Sequence, residues 1–236
     1  MPEVRAAPVL GARARGKVRQ AGSANARGMR VLVARHGETT WNLAGRYQGR
    51  RESALTSLGM QQAFALLEPM RAERITRIVS SPLLRCTATA LPCGERLNVG
   101  VETDDRLIEI AHGTWEGRLR DEIAANDRFR YRAWREDPGN VAFEGGETLV
   151  RVLERWQEFA AALQPDAPTL VVTHDAVVRV ALLAASGRDW EAFWSARVEN
   201  GAYAVFEVEG DRWTIIDECV TEHLTGVRAA ITGQAL

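Results

Sequence analysis

From residue 30 onward, apolar runs alternate with turn signals closely enough to predict most of the regular elements. Arg30 to Ala34 (RVLVA) reads as a short strand of the fully buried kind, and Leu55 to Met70 carries helical spacing behind a Thr56 cap. Ile75 to Val79 predicts a second strand and Leu83 to Leu97 a second helix. Thr148 to Leu163 predicts a long amphipathic helix opened by Glu147, followed by a third strand at Thr169 to Thr173 (TLVVT) and a helix over Ala176 to Ala185. Tyr203 to Val208 and Trp213 to Asp217, joined by Glu-Gly-Asp, read as a closing hairpin. Residues 110–146 are polar, aromatic and interrupted by glycine, so they predict an excursion over the sheet edge that covers a substrate. Strands alternating with helices imply an α/β fold: a three-layer sandwich with a mainly parallel central sheet and helices on both faces.

At 236 residues, 46% hydrophobic and 26% charged, the chain is long enough for one large domain, read as residues 29–236. Residues 1–28 hold six basic side chains against Glu3 and lack periodicity, which predicts a flexible basic arm. The rest then carries a net charge of −6 and predicts no nucleic-acid partner. No apolar run approaches the ~18 residues that cross a bilayer, so no membrane partner is expected and the location predicted is cytoplasmic. Cys86, Cys93 and Cys219 lack CxxC spacing, which argues against a disulfide framework and a thiolate metal site. All but one of the 30 basic residues are arginine, and the single Lys17 lies in the arm. Chemistry that needs a lysine in the site, Schiff-base or Walker type, is therefore excluded from the domain.

In open parallel sheets ligands bind beyond the carboxyl ends of strands. Arg35 and His36 follow the first strand there, Ser80-Ser81-Pro82 the second, and His174 the third. Pro82 suits the first helical position with Ser81 as its cap, which puts Arg85 on the opening turn. Two arginines and two histidines at one crevice suit transfer of a phosphoryl group. Guanidinium forks hold its oxygens, and nearby positive charge keeps an imidazole neutral and nucleophilic. His36 is the expected nucleophile, forming a phosphohistidine that water hydrolyses. The histidines lack ligand spacing such as HxxxH and arginine offsets the charge, so no metal and no cofactor are expected.

The run Arg35-His36-Gly37-Glu38-Thr39, continuing through Trp41-Asn42 to Arg46-Tyr47-Gln48-Gly49, resembles the signature of the histidine phosphatase superfamily. Further blocks follow in family order: Leu55-Thr56 with Gly59 and Gln61-Gln62-Ala63, Ser80 to Ala88, Leu107-Ile108-Glu109-Ile110 with Gly113 and Trp115-Glu116-Gly117, Glu144 to Thr148, and Thr173-His174. Together they span roughly residues 30 to 208. The resemblance implies a phosphoglycerate mutase-like fold, with His36 as the phosphorylated residue and Arg35, Arg85 and His174 as the phosphate pocket. It also implies Glu109 as the acid that protonates the leaving alkoxide, and Asn42, Gln48 and Gly49 as substrate-binding positions. Trp115-Glu116-Gly117 resembles the phosphatase branch, and the domain lacks the lysine of the mutase pattern. A phosphatase acting on a small phosphate ester is expected, with cofactor-dependent phosphoglycerate mutase and an inactive binding module as alternatives. A homodimer is left open.

One departure stands out: the family usually has glycine after the second histidine, and this chain has Asp175. It reads either as the cap of the helix from Ala176 or as an auxiliary acid. His112 is divided between a substrate contact and a surface role. Phe129, Tyr131 and Trp134 are divided between an aromatic substrate wall and a core-facing helix, Cys86 reads as packed, and His223 has no assigned role.

Overall fold

The computed structural model describes residues 28–163 and 165–229, so the expected arm falls outside the described residues except for Gly28. The chain runs β1 (Met29–Arg35), α1 (Thr40–Ala44), α2 (Ser57–Ala65), α3 (Leu67–Ala72), β2 (Arg77–Ser80), α4 (Leu84–Leu97), β3 (Val101–Thr103), α5 (Arg120–Asn126) and α6 (Arg128–Glu136). It ends with α7 (Leu149–Leu163), β4 (Thr169–Thr173), α8 (Asp175–Ser186), β5 (Tyr203–Glu209) and β6 (Arg212–Val220). The strands form one six-stranded sheet in the order β3-β2-β4-β1-β5-β6. The β3-β2, β2-β4 and β4-β1 pairs are parallel, and β5 and β6 complete the sheet antiparallel.

Period-two alternation builds the layers. Val31 and Val33 of β1, with Val171 of β4 and Phe206 of β5, pack on one face against Trp156 and Phe159 of α7 and Val177 and Val180 of α8. Leu32 and Ala34, with Leu170 and Val172, pack on the other against Met70 of α3 and Cys86, Ala90 and Cys93 of α4. Two cores on opposite faces of one sheet make the three-layer sandwich that the alternation of strands and helices predicts. Among the described residues, no helix is long and apolar enough to cross a membrane.

Several boundaries differ from the sequence reading. The segment Leu55 to Met70 is two helices, because Leu66 ends α2 and α3 starts again at Leu67. α4 begins at Leu84, so Pro82 precedes it and Ser81 is not its cap. The Ser81 hydroxyl lies 2.8 Å from His174 Nε2 instead, and Glu52 Oε1 accepts from the Leu84 N–H at 3.1 Å. α8 begins at Asp175 with His174 in the N-cap position, which removes the capping role for Asp175. Glu147 does not open α7, which begins at Leu149; its carboxylate binds Arg155 and Arg50. Residues 110–146 hold α5 and α6, and on α6 Trp134 is buried whereas Phe129 is 77% exposed. There is thus no aromatic wall: Trp134 packs in the core behind His112, with 5.7 Å between ring centroids.

Candidate active site

β1 and β4 are neighbours, and their register pairs Arg35 with Thr173. The next residue on each strand is a histidine, and the His36 N–H donates to the Thr173 carbonyl at 2.9 Å. This register brings the rings of His36 and His174 to 5.3 Å between centroids, edge to face. A small cavity opens there, lined by Arg35, His36, Asn42, Gln48, Gly49, Arg85, Glu109 and His112. All the predicted site residues but His174 and Asp175 therefore meet on one surface. Both of these are buried behind it.

The partners of His36 fix its tautomer. Nδ1 lies 2.7 Å from the Gly37 carbonyl, which only accepts, so Nδ1 carries the hydrogen and Nε2 the lone pair. Burial, then the charges of Arg85 and Arg35, hold the ring well below its ordinary pKa, so the imidazole is neutral. His174 is held low by burial first and Arg85 second. It sits one layer back, with Nε2 at 2.8 Å from Ser81 Oγ and 3.4 Å from Cys86 Sγ. Burial pushes the Cys86 thiol up, so it stays protonated and packed, as its sequence context predicts.

Arg85 reaches the cavity from the first turn of α4. Its Nη2 donates to the Gly49 carbonyl at 2.6 Å and Nη1 to the Arg51 carbonyl at 2.9 Å, while the buried Nε has no partner within the protein. Arg35 donates through Nη1 to the Val198 carbonyl at 3.0 Å and pairs with Asp175 Oδ2 at 2.8 Å. The other oxygen of Asp175 accepts from Arg179 Nε, whose guanidinium also binds the Phe193 and Ala196 carbonyls. Asp175 is thus clamped between two guanidiniums.

Glu109 is buried at the cavity wall, with Oε1 accepting from the Ile110 N–H at 2.9 Å. Burial outweighs that hydrogen bond and the pull of Arg85, and raises its pKa to about 7. His112, three residues on, is buried rather than at the surface. Neither ring nitrogen has a partner within the protein, and burial lowers its pKa to about 3. Tyr47 and Phe143 pack on it at centroid distances of 5.0 and 4.8 Å.

Gly49 adopts φ +52°, and an added Cβ would meet Glu116 Oε1 at 2.1 Å. That carboxylate oxygen ties two loops together, accepting from the His112 N–H at 3.0 Å and the Arg50 N–H at 3.2 Å. Only glycine meets both conditions.

Residues 31–220 match the histidine phosphatase superfamily (branch 1). The chain belongs to that family. As a histidine phosphatase it is 36% identical over 199 residues to phosphoserine phosphatase 1 of Hydrogenobacter thermophilus, covering 83% of this chain and 94% of that protein. It is 35% identical over 180 residues to glucosyl-3-phosphoglycerate phosphatase of Mycobacterium tuberculosis, covering 70% of this chain and 80% of the relative. Among solved structures, YhfR of Bacillus stearothermophilus superposes with a TM-score of 0.79 at 28% identity, covering 83% of this chain and 99% of that one. His112, divided in the sequence between a substrate contact and a surface role, lines the cavity. Asn200, buried beside His36, lies beyond the sequence reading and has no signal in the pattern.

Proposed function

We propose that this protein hydrolyses small phosphate monoesters through a phosphohistidine on His36. The observation that carries the reading is a neutral imidazole, with its lone pair on Nε2, beside two buried donors that lack protein partners, Arg85 Nε and Asn42 Nδ2. Buried donors are rarely left unmade, and these suit phosphoryl oxygens.

The reaction follows from those positions. Arg35, Arg85 and Asn42 hold the phosphoryl group, and His36 Nε2 attacks phosphorus in line as the bond to the ester oxygen breaks. The Glu109 carboxyl gives its proton to the departing alkoxide. Its carboxylate then takes a proton from water, whose oxygen attacks phosphorus, releasing inorganic phosphate and free His36. The guanidiniums carry the charge stabilisation, so no metal ion enters any step. His174 supports the His36 ring from behind, and Asp175 acts by holding Arg35 rather than by giving a proton, since both its oxygens already accept from arginine.

Relatives named for phosphoserine and for glucosyl-3-phosphoglycerate support a small ester as substrate. Gln48 and His112 line the same cavity as Glu109, and in this reading they meet the alcohol half. A cytoplasmic setting belongs to the same reading, supported by three free cysteines. The test is a radioactive phosphate ester: quenched enzyme carries acid-labile label on His36, and His36→Ala loses both the label and turnover. Full activity in that variant would end the proposal. Incubation with 3-phosphoglycerate, with and without 2,3-bisphosphoglycerate, is expected to release free phosphate; formation of 2-phosphoglycerate would mark a mutase.

A further inference from the structure

Asn200 lies just before β5, is 2% exposed, and belongs to none of the sequence motifs. Its Nδ2 donates to the His36 backbone carbonyl at 3.1 Å and to Asn42 Oδ1 at 3.3 Å. Partners with a single role fix both amides. A carbonyl only accepts, so Asn200 must turn its nitrogen toward His36. The Thr39 backbone N–H only donates, and it reaches Asn42 Oδ1 at 3.0 Å, so Asn42 must turn its oxygen that way. The Thr39 hydroxyl adds a third donor to the same oxygen at 3.0 Å. With its oxygen committed, Asn42 is left with a buried Nδ2 that has no protein partner, on the wall of the cavity beside His36.

We propose that Asn200 is a positioning residue, whose amide holds the Asn42 side chain in the one orientation that turns Nδ2 toward the transferring phosphoryl group. A half-turn of the Asn42 amide would present oxygen to the anion and set its NH2 against the Thr39 backbone N–H and the Asn200 amide N–H, neither of which can accept. Asn200 makes that flip costlier by supplying one of these two donors. Asn200 Nδ2 also reaches the carbonyl of His36, so the nucleophile and the Asn42 donor are set by one amide. The segment stays docked without the Asn200 side chain, because the Gly201 N–H donates to the Arg35 and His36 carbonyls at 3.1 and 3.2 Å.

The inference rests on the phosphatase reading only for the identity of the anion, and its test needs no turnover. Inorganic phosphate is titrated into ¹⁵N-labelled wild-type protein. The Asn42 side-chain amide signals are expected to move with saturation, and stationary signals would overturn the proposal. Affinity for phosphate, followed through the Gly37 backbone amide, is expected to fall about tenfold in Asn200→Ala and by a similar factor in Asn42→Ala. The double variant is expected to lose less than about twofold beyond Asn42→Ala alone. An undiminished tenfold step in the double variant would show that Asn200 acts elsewhere. A protein that shows the expected coupling yet hydrolyses no ester would end the phosphatase reading and leave the role of Asn200 standing.

Discussion

The proposed reaction makes two demands of the Glu109 carboxyl: it is protonated to serve the leaving group and then ionised to activate water. A pKa of about 7, raised by burial, allows both near neutrality. Glu109→Gln is expected to slow hydrolysis of alkyl phosphates far more than that of p-nitrophenyl phosphate, whose leaving group needs no proton; equal slowing of both would remove the acid role. The same shift works against stability. A carboxyl with its folded pKa raised favours folding below its unfolded value near 4.5, and that contribution is lost as pH rises toward 7. Glu109→Gln should therefore melt with the parent at pH 4 but higher than the parent at pH 8, by up to ~3 kcal/mol of stability. Asp175 works in the opposite sense, because removing it strands Arg35 and Arg179 as buried charges. Asp175→Asn is expected to cost about 3 kcal/mol, read by denaturant unfolding, and to weaken binding of inorganic phosphate. At this scale Arg35, His36 and Arg85 were legible in the sequence because each sits at a strand or helix end. The job of Asp175 was not, since its partner Arg179 carries no signal of its own.

At the scale of elements, the strands with continuous apolar runs, β1 and β4, were readable almost to the residue. β3 was not: it has three residues, and two of them are exposed. α6 was only one of two alternatives for a related reason, since an arginine-rich segment that buries Trp134 and leaves Phe129 exposed does not separate a core-facing helix from an aromatic wall. Loops joined by side chains are equally invisible to periodicity. The 49–51 turn and the 109–117 segment meet through Glu116 in the space that Gly49 leaves open. Gly49→Ala is expected to displace that carboxylate and disturb Arg85, which binds the Gly49 carbonyl, raising KM by about tenfold or more. Trimming the obstruction in Gly49→Ala/Glu116→Ala should restore part of the loss. A double variant no better than Gly49→Ala would place the damage in the backbone strain at φ +52° instead.

For the whole molecule, strands alternating with helices gave the sandwich, and six sequence blocks gave the family, but neither reveals which strands are neighbours. β5 beside β1, antiparallel, carries Asn200 to His36, and a hairpin read from local pattern has no place to put that contact. The proposed chemistry is also a property of the assembled domain, because arginines from β1 and α4 share the work given elsewhere to a cation. Phosphatase activity is expected to survive excess EDTA, and loss that Mg²⁺ or Zn²⁺ restores would refute the metal-free mechanism.

Because β4 inserts between β1 and β2, the partner of His36 arrives only when residues far downstream slot into the middle of the sheet. A nascent chain, or a fragment cut before Thr169, is expected to display the signature histidine and yet release no phosphate from an ester, because it has no neighbouring strand end to complete the nest.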